Sequence, residues 1–523
     1  IILLNNRRPL FRRAYRGGDE KIILILCRER FQTVPDIRTN VGKLRGITTN
    51  LQKRGRDIMK LNDTIAAIAT PRGAGGIAII RISGTHAIEI ASKIVFPLGK
   101  IPLEKCEDRK LTLCRIQEPS DGGYVIDRTL AVVMRAPKTY TGEDVVEINC
   151  HGGYLAADKT LDALFKCGAR LAEPGEFTRR AFINGKTDLC GAEAVMDLMD
   201  STSEAGLHNA AMSLCGGIAE KINGIRERVL ALASHISAAA DYPEEVDAPE
   251  PDEAMSGLSD IHTELKALAD GFDTGRVMRD GVRTAIVGKP NVGKSSILNA
   301  LLKFERAIVT DIPGTTRDTI EELISVGGIA LRLIDTAGIR DSADEVERIG
   351  IERSQKNIEL ADLVLFVVDS SQEITDEDIA IAAAVRNKKC ILILNKKDKG
   401  TALDTDAAAK RLGIVPDAAV ETAAPKGEAA EGIDVLEKII SDMFTHGKVK
   451  FDEVYLANER QKDAVLRADA AIGHAMDGIR NNMPFDLAFV DLEDAMSALG
   501  EITGETVQEE IVDSVFERFC VGK

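Results

Sequence analysis

In the first part of the chain, apolar positions alternate with polar ones. The runs GGIAIIRIS (75–83), LAVVMRAP (130–137) and DVVEINCHGG (144–153) are interleaved with helical stretches such as YLAADKTLDALFKCG (154–168). Alternation with period two marks half-buried strands, whereas a 3.6-residue repeat marks amphipathic helices. Residues from Asp63 to about Asn184 therefore read as mixed α/β. From about Lys186 to Arg276 the pattern turns helical, Ala-rich and poor in turn signals. It breaks at DYPEEVDAPEPDE (241–253), where seven acidic residues, three prolines and no basic residue predict a solvated loop.

A different pattern runs from about Asp280 to Thr445. The runs RTAIVG (283–288), LRLIDTAG (331–338), LVLFVVD (363–369) and CILILNKKD (390–398) are almost continuously apolar and alternate with helices. Strands buried on both faces read this way, so a doubly wound parallel sheet is expected. Helical periodicity returns after Phe451, through residues 457–480 and 487–519. Helical blocks on both sides imply one helical domain with an α/β domain inserted into it. No period of 20–50 residues repeats.

At 523 residues the chain exceeds one core, and two to four domains are expected. The net charge of −16 argues against a protein that coats nucleic acid non-specifically, while leaving room for a local basic patch. Nine cysteines with no CxxC pair suit reduced thiols in a cytosol-like compartment. The run Ile22–Leu26 is far too short to span a bilayer, and no signal peptide is recognisable. Residues 1–58 stand apart, with 14 Lys/Arg against 5 Asp/Glu, and Met59 directly precedes the first patterned segment. The preferred reading is translated upstream sequence from a misplaced start. The rival reading is an organelle-targeting peptide, and under either one the segment lies outside the fold.

The chemistry concentrates in the α/β insertion. GKPNVGKSS (288–296) is a complete G-x-x-x-x-G-K-S loop between a strand and a helix. Its backbone N–H groups and the helix N-terminus can cradle phosphates, Lys294 can neutralise them and Ser295 can hold Mg²⁺. Asp335–Gly338 (DTAG) ends the next apolar strand run, so that Asp335 reaches the metal's water shell and Gly338 the γ-phosphate. Thr316 within Gly314–Asp318 (GTTRD) is placed to complete the metal shell. In Asn395–Asp398 (NKKD) the aspartate can accept from N1–H and the exocyclic amine of guanine, a pairing adenine lacks. Together these define a GTPase domain. The guanine loop departs from the usual Ser-Ala-Lys, reading Ala423-Ala424-Pro425, so a serine hydroxyl is lost while the Ala424 N–H remains.

Hydrolysis needs a group that orients water, and the position after DTAG is Ile339 rather than glutamine. The acidic run 341–350 offers Asp344, Glu345 and Glu347 instead. No arginine finger is identifiable, and a monovalent cation beside the phosphates could supply the missing positive charge, with Asn291 as a ligand. The expected nucleotide-contact set is Asn291, Val292, Gly293, Lys294, Ser295 and Ser296; Thr310, Asp311, Ile312, Pro313, Gly314, Thr315 and Thr316; Asp335, Thr336, Ala337 and Gly338; Asn395, Lys396, Lys397 and Asp398; and Ala423, Ala424 and Pro425.

From Met59 to Lys523 the chain resembles the MnmE (TrmE) family of tRNA-modifying GTPases. The resemblance rests on DTIAAIATPRGAGGIAIIRISG (63–84), TGEDVVEINCHGG (141–153), PGEFTRRAFINGKTDL (174–189), the nucleotide motifs, DTAGIRDSADEVERIGIERS (335–354) and the tail FCVGK. It implies an α+β tetrahydrofolate-binding and dimerisation domain over 59–184 and helical segments over 185–279 and 446–523. Between them lies an inserted GTPase domain over 280–445. It also implies a homodimer, an MnmG-type FAD protein as partner and tRNA as substrate. The expected setting is cytoplasmic, away from membranes. Potassium-dependent dimerisation activates GTP hydrolysis in such proteins, and a 5-formyl- or methylene-tetrahydrofolate supplies a one-carbon unit to C5 of the wobble uridine. By motif position the resemblance puts potassium on Asn291, Thr310, Ile312 and Thr315, and Mg²⁺ on Ser295 and Thr316. It makes Glu347 the water-orienting residue. The folate site takes Arg81, Glu147, Lys186 and Lys523, with Cys520 as a possible functional thiol. From the residues alone, Arg81 and Glu147 also read as a plain cross-strand pair and Lys186 as a solvated loop residue. Two alternatives stay open, a ribosome-assembly or RNA-chaperone GTPase and a folate-dependent transferase carrying a regulatory G domain.

Overall fold

The computed structural model describes residues 63–71, 73–99, 101–120, 122–304, 322–334, 357–400, 404–423, 430–445, 453–506, 509–517 and 519–523. Two compact units form. One holds the described residues up to Ala136 together with Glu143–Leu171, and the other holds Pro137–Gly142 and Ala172–Lys523.

The first unit contains β1 (Ile65–Ile68), β2 (Ile77–Ser83), α1 (Ala87–Ser92), β3 (Val95–Pro97), β4 (Thr112–Gln117), β5 (Val125–Met134), β6 (Val145–His151), α2 (Tyr154–Lys166) and β7 (Arg170–Leu171). Its sheet has the order β3-β4-β5-β6-β2-β1-β7, antiparallel throughout except for the β1–β7 pair. Alternation has its expected consequence. Ile80, Ile82, Ala131, Val133 and Ile148 point to one face and pack with Ile90 of α1 and Leu161 and Leu164 of α2. The intervening residues point to the other face.

The second unit opens with α3 (Glu176–Ile183), α4 (Leu189–Asp200), α5 (Glu204–Leu214), α6 (Gly217–Asp241), α7 (Pro251–Asp270) and α8 (Phe272–Asp280). The acidic segment is shorter as a loop than its composition predicts. Pro251 begins α7, where a proline loses no helical hydrogen bond, and Asp252 and Glu253 lie favourably in its first turn. There follow β8 (Val282–Val287), α9 (Lys294–Phe304), β9 (Glu322–Val326), β10 (Ile329–Leu333), β11 (Leu363–Asp369), α10 (Asp376–Val385), β12 (Lys389–Asn395), α11 (Thr405–Leu412), β13 (Ala418–Glu421) and α12 (Ile433–Thr445). The chain then returns to helix in α13 (Glu459–Arg480), α14 (Phe485–Thr503) and α15 (Glu509–Phe516).

Helices from both sides of the α/β insertion share one core. Ile222, Val229 and Ile236 of α6 recur every seven residues and meet Leu258 and Leu265 of α7, Val465, Ile472 and Ile479 of α13, and Leu492 and Leu499 of α14. Each such buried side chain contributes about 1.5–3 kcal/mol relative to exposure. A polar network spans the two segments as well. Arg460 of α13 grips Glu193 of α4 with Nε and Nη2 at 2.9 and 2.8 Å, and its Nη1 donates to the Glu501 carbonyl at 2.6 Å.

The inserted sheet has the order β13-β12-β11-β8-β10-β9, parallel at every step except the β9–β10 hairpin at its edge. Every residue of β11 is buried. Leu365 and Val367 pack on the side of Ile297 and Leu301 of α9. Val364 and Phe366 pack on the opposite side, with Ala382 of α10 and Leu412 of α11. Burial on both faces is why the sequence shows no alternation there.

Candidate functional site

The phosphate loop follows β8. At Gly288, φ is +148° and an added Cβ would lie 2.3 Å from the Val367 carbonyl oxygen; at Gly293, φ is +103° and the Cβ would lie 2.1 Å from Asn395 Nδ2. Only glycine fits either place. Asn291 also takes a left-handed conformation, at φ +63°. Lys294 opens α9 and turns back over the loop, donating from Nζ to the carbonyls of Gly288 at 2.6 Å and Lys289 at 2.9 Å. Burial lowers its pKa, which makes an anionic partner for the ammonium more valuable. Ser295 lies exposed on the first turn of the same helix.

Asn395, at the end of β12, is 1% exposed and acts as a spacer between loops. Its Nδ2 donates to the Val292 carbonyl at 2.9 Å, and its Oδ1 accepts from Thr422 Oγ1 at 3.1 Å. Lys396 adopts φ +67° and sends Nζ to the Asn291 carbonyl at 2.5 Å and to Asp369 Oδ2 at 2.8 Å. Burial opposes the charge on Asp369, yet the hydrogen bonds from Lys396 and Ser371 outweigh it and hold that carboxyl below its ordinary range. The Lys397 amide donates to the Thr422 carbonyl, and Ala423 forms an isolated bridge with Glu431. Asp398 follows in a short 3₁₀ turn and is exposed. Asn395, Lys396 and Thr422 thus lock the P-loop to the loop that carries Asp398.

Three contributors have no role assigned by the sequence motifs. Asp369 anchors Lys396. Lys289, at the first x of the G-x-x-x-x-G-K-S loop, reaches Asp378 Oδ2 at 3.0 Å, and Asp378 is fully buried. Asp378 also closes the N-terminus of α10, accepting from the Thr375 amide at 3.0 Å and hydroxyl at 2.8 Å. The Thr-x-x-Asp cap is legible in TDED, but nothing in the sequence links it to a lysine 89 residues earlier.

Of the folate candidates, Arg81 and Glu147 lie in register across β2 and β6, with Nε 2.8 Å from Oε1. Both keep about a fifth of their side-chain surface exposed, at 22% and 21%. In the other unit Lys186 is exposed, and the tail holding Lys523 is pinned against α3. The Phe177 amide donates to the Lys523 carbonyl at 3.1 Å, Gly175 to the Cys520 carbonyl at 3.4 Å, and Pro174 bridges Val521. Phe519 and Phe516 pack together with Ala192. Gly175, at φ +66°, has no room for a side chain, since a Cβ would lie 2.8 Å from Phe519 Cβ. The Cys520 thiol stays exposed.

Thr310, Asp311, Ile312, Pro313, Gly314, Thr315, Thr316, Asp335, Thr336, Ala337, Gly338, Glu347, Ala424, Pro425 and the whole of residues 1–58 lie outside the described residues. Among the described residues no group of three His, Cys, Asp or Glu side chains could hold a metal ion, and no helix is long and apolar enough to cross a membrane.

A family model described as "GTP-binding protein TrmE N-terminus" matches residues 64–186, and one described as "MnmE helical domain" matches residues 189–520. A "tRNA modification GTPase MnmE" from Alkaliphilus oremlandii is 43% identical over 467 residues, covering 89% of this chain and all of the relative. One from Carboxydothermus hydrogenoformans is 42% identical over 470 residues, covering 88% of this chain and all of the relative. Among solved structures, the FeoB G-domain of Methanococcus jannaschii is 29% identical over 31% of this chain and 98% of its own, with a TM-score of 0.22, too low to bear on the fold.

Proposed function

The chain belongs to the MnmE (TrmE) family of tRNA modification GTPases, and from that premise we propose a potassium-activated GTPase that modifies tRNA with folate one-carbon chemistry. Working with an MnmG-type flavoprotein, it would add an aminomethyl or carboxymethylaminomethyl group at C5 of the wobble uridine. The observation that carries the nucleotide half is the bonded chain from Val292 through Asn395 to Thr422, with Lys396 fixed on the Asn291 carbonyl. That chain couples the loop for phosphates to the loop for the base.

In this reading Lys294 exchanges its two loop carbonyls for phosphate oxygens, and Asp398 accepts from guanine. The Ser295 hydroxyl is the kind of hard oxygen donor Mg²⁺ takes, with Thr316 completing the shell. Bound potassium supplies positive charge beside the phosphates, with Asn291, Thr310, Ile312 and Thr315 as its ligands. Glu347 orients the attacking water. Arg81 and Glu147, partly exposed and already paired, together with Lys186 and Lys523, are proposed to bind the folate in a homodimer. The pinned tail is consistent with a fixed place for Lys523, and Cys520 is carried as a site residue on its exposed thiol alone.

GTP turnover measured at equal ionic strength in potassium and in sodium tests the reading. Turnover should be several-fold higher in potassium, and Glu347→Ala should lower it by about 10²-fold or more while GTP binding persists. Equal turnover in the two salts would remove the potassium site, and an active Glu347→Ala enzyme would remove the role of Glu347.

A further inference from the structure

The face of the first sheet opposite α1 and α2 carries an unusual pairing. Arg115 of β4 stands directly across from Arg128 of β5. Both side chains are exposed, and neither guanidinium has an acidic partner among the described residues. Like charges directly opposite on antiparallel strands destabilise a sheet. Several other cations of this unit have acidic partners. Arg81 pairs with Glu147, Lys93 with Glu89, Lys110 with Glu107, Lys166 with Glu118 and Arg170 with Asp63. Phe96 of β3, 39% exposed, stands in register with Arg115, and the next pair inward is Leu113 opposite Leu130, at 42% and 40% exposed.

Charge is distributed unevenly between the units. Residues 63–136 with 143–171 contain 13 Lys/Arg and 13 Asp/Glu, whereas 137–142 with 172–523 contain 39 against 65. A polyanion is repelled by the second set and not by the first. A second copy of the same face would set arginines against arginines. The face's own acid, Glu147, is already held by Arg81. RNA satisfies both features, since phosphates pair with guanidinium groups and an unstacked base can lie on Phe96 and the leucines.

We propose that the face bearing Phe96, Leu113, Arg115, Arg128 and Leu130 is an RNA-docking surface, with the arginine pair holding two backbone phosphates of the tRNA and Phe96 stacking a base. This rests on the tRNA-modifying function proposed above.

The test uses the full chain and an unmodified tRNA transcript, with Kd measured over a salt series. Arg115→Gln/Arg128→Gln should weaken binding about tenfold or more. It should also reduce the slope of log K against log salt by about 1.4, the share of two phosphates on a single strand. Phe96→Ala should weaken binding about tenfold with the slope unchanged. Folding of each variant is checked by thermal melting, and RNA-free GTP turnover should match wild type. Wild type that fails to bind tRNA overturns the functional reading and this proposal together. Wild type that binds while both variants bind equally well overturns this proposal alone. Variants that change the sedimentation mass, with tRNA affinity intact, would make the face a contact between copies instead.

Discussion

Asp378 shows how one side chain can govern a site it never touches. Its carboxylate is fully buried, Oδ2 accepts from Lys289 and twice from Thr375, and Oδ1 has no hydrogen-bond partner among the described residues. Lys289 is therefore its compensating charge. The Lys289 carbonyl also accepts from the Lys294 ammonium, so the place of one lysine helps set the place of the other. Lys289→Met would leave a buried charge uncompensated, at a cost of about 3–5 kcal/mol. The variant should melt several degrees lower and bind a fluorescent GTP analogue at least about tenfold more weakly. Lys289→Arg should restore most of both. Unchanged melting and affinity in Lys289→Met would show that the pair does not position the loop. The lysine was readable as part of a phosphate loop. Its partner was not, because a contact across 89 residues leaves no local pattern.

At the scale of elements, the tail and α3 act as one piece. A strand-like bridge, two hydrogen bonds and the close approach of Phe519 to Gly175 hold residues 519–523 against the start of the helix. Gly175 permits this approach, with a left-handed backbone and no Cβ. Alanine there would incur about 1–2 kcal/mol for the backbone alone, plus the contact with Phe519. Gly175→Ala should therefore release the tail, seen as faster hydrogen exchange at the Phe177 amide. Retained protection would mean the helix can shift to make room. PGEF and FCVGK were each visible as motifs 345 residues apart. Their antiparallel contact was not, since two isolated short segments carry no register information.

For the molecule as a whole, the junction between the helical core and the inserted sheet is the place to probe. Arg279, in the last turn of α8, bonds Asp197 of α4 at 2.7 Å and the Ala457 carbonyl at 3.2 Å, tying the outgoing chain to the returning one. Burial pushes Asp197 up to about 6, against the opposing pull of Arg279. Its ordinary value is 3.8, so the folded state holds this proton more tightly than the unfolded chain does. Stability from this group is then fully present below about pH 3.8 and is lost as pH rises through about 6. Unfolding free energies of wild type minus Asp197→Asn should fall across that window and level off above it. A difference that rises with pH would mean that Arg279 dominates and the carboxyl is held low.

The sequence by itself determined the period of each segment. Alternation produced the one-faced first sheet, seven-residue recurrence the helical core, and unbroken apolar runs the two-faced inserted sheet. It also determined the phosphate and guanine motifs, whose chemistry depends on neighbours within a few residues. Tertiary structure alone decided the partnerships. Asp378 beneath the P-loop and the tail on α3 join segments distant in the chain, and antiparallel β9 at the sheet edge and Arg115 facing Arg128 depend on strand pairing and register. Local patterning fixes which face of an element is buried; only packing fixes what that face, or a charge left on the other one, will meet.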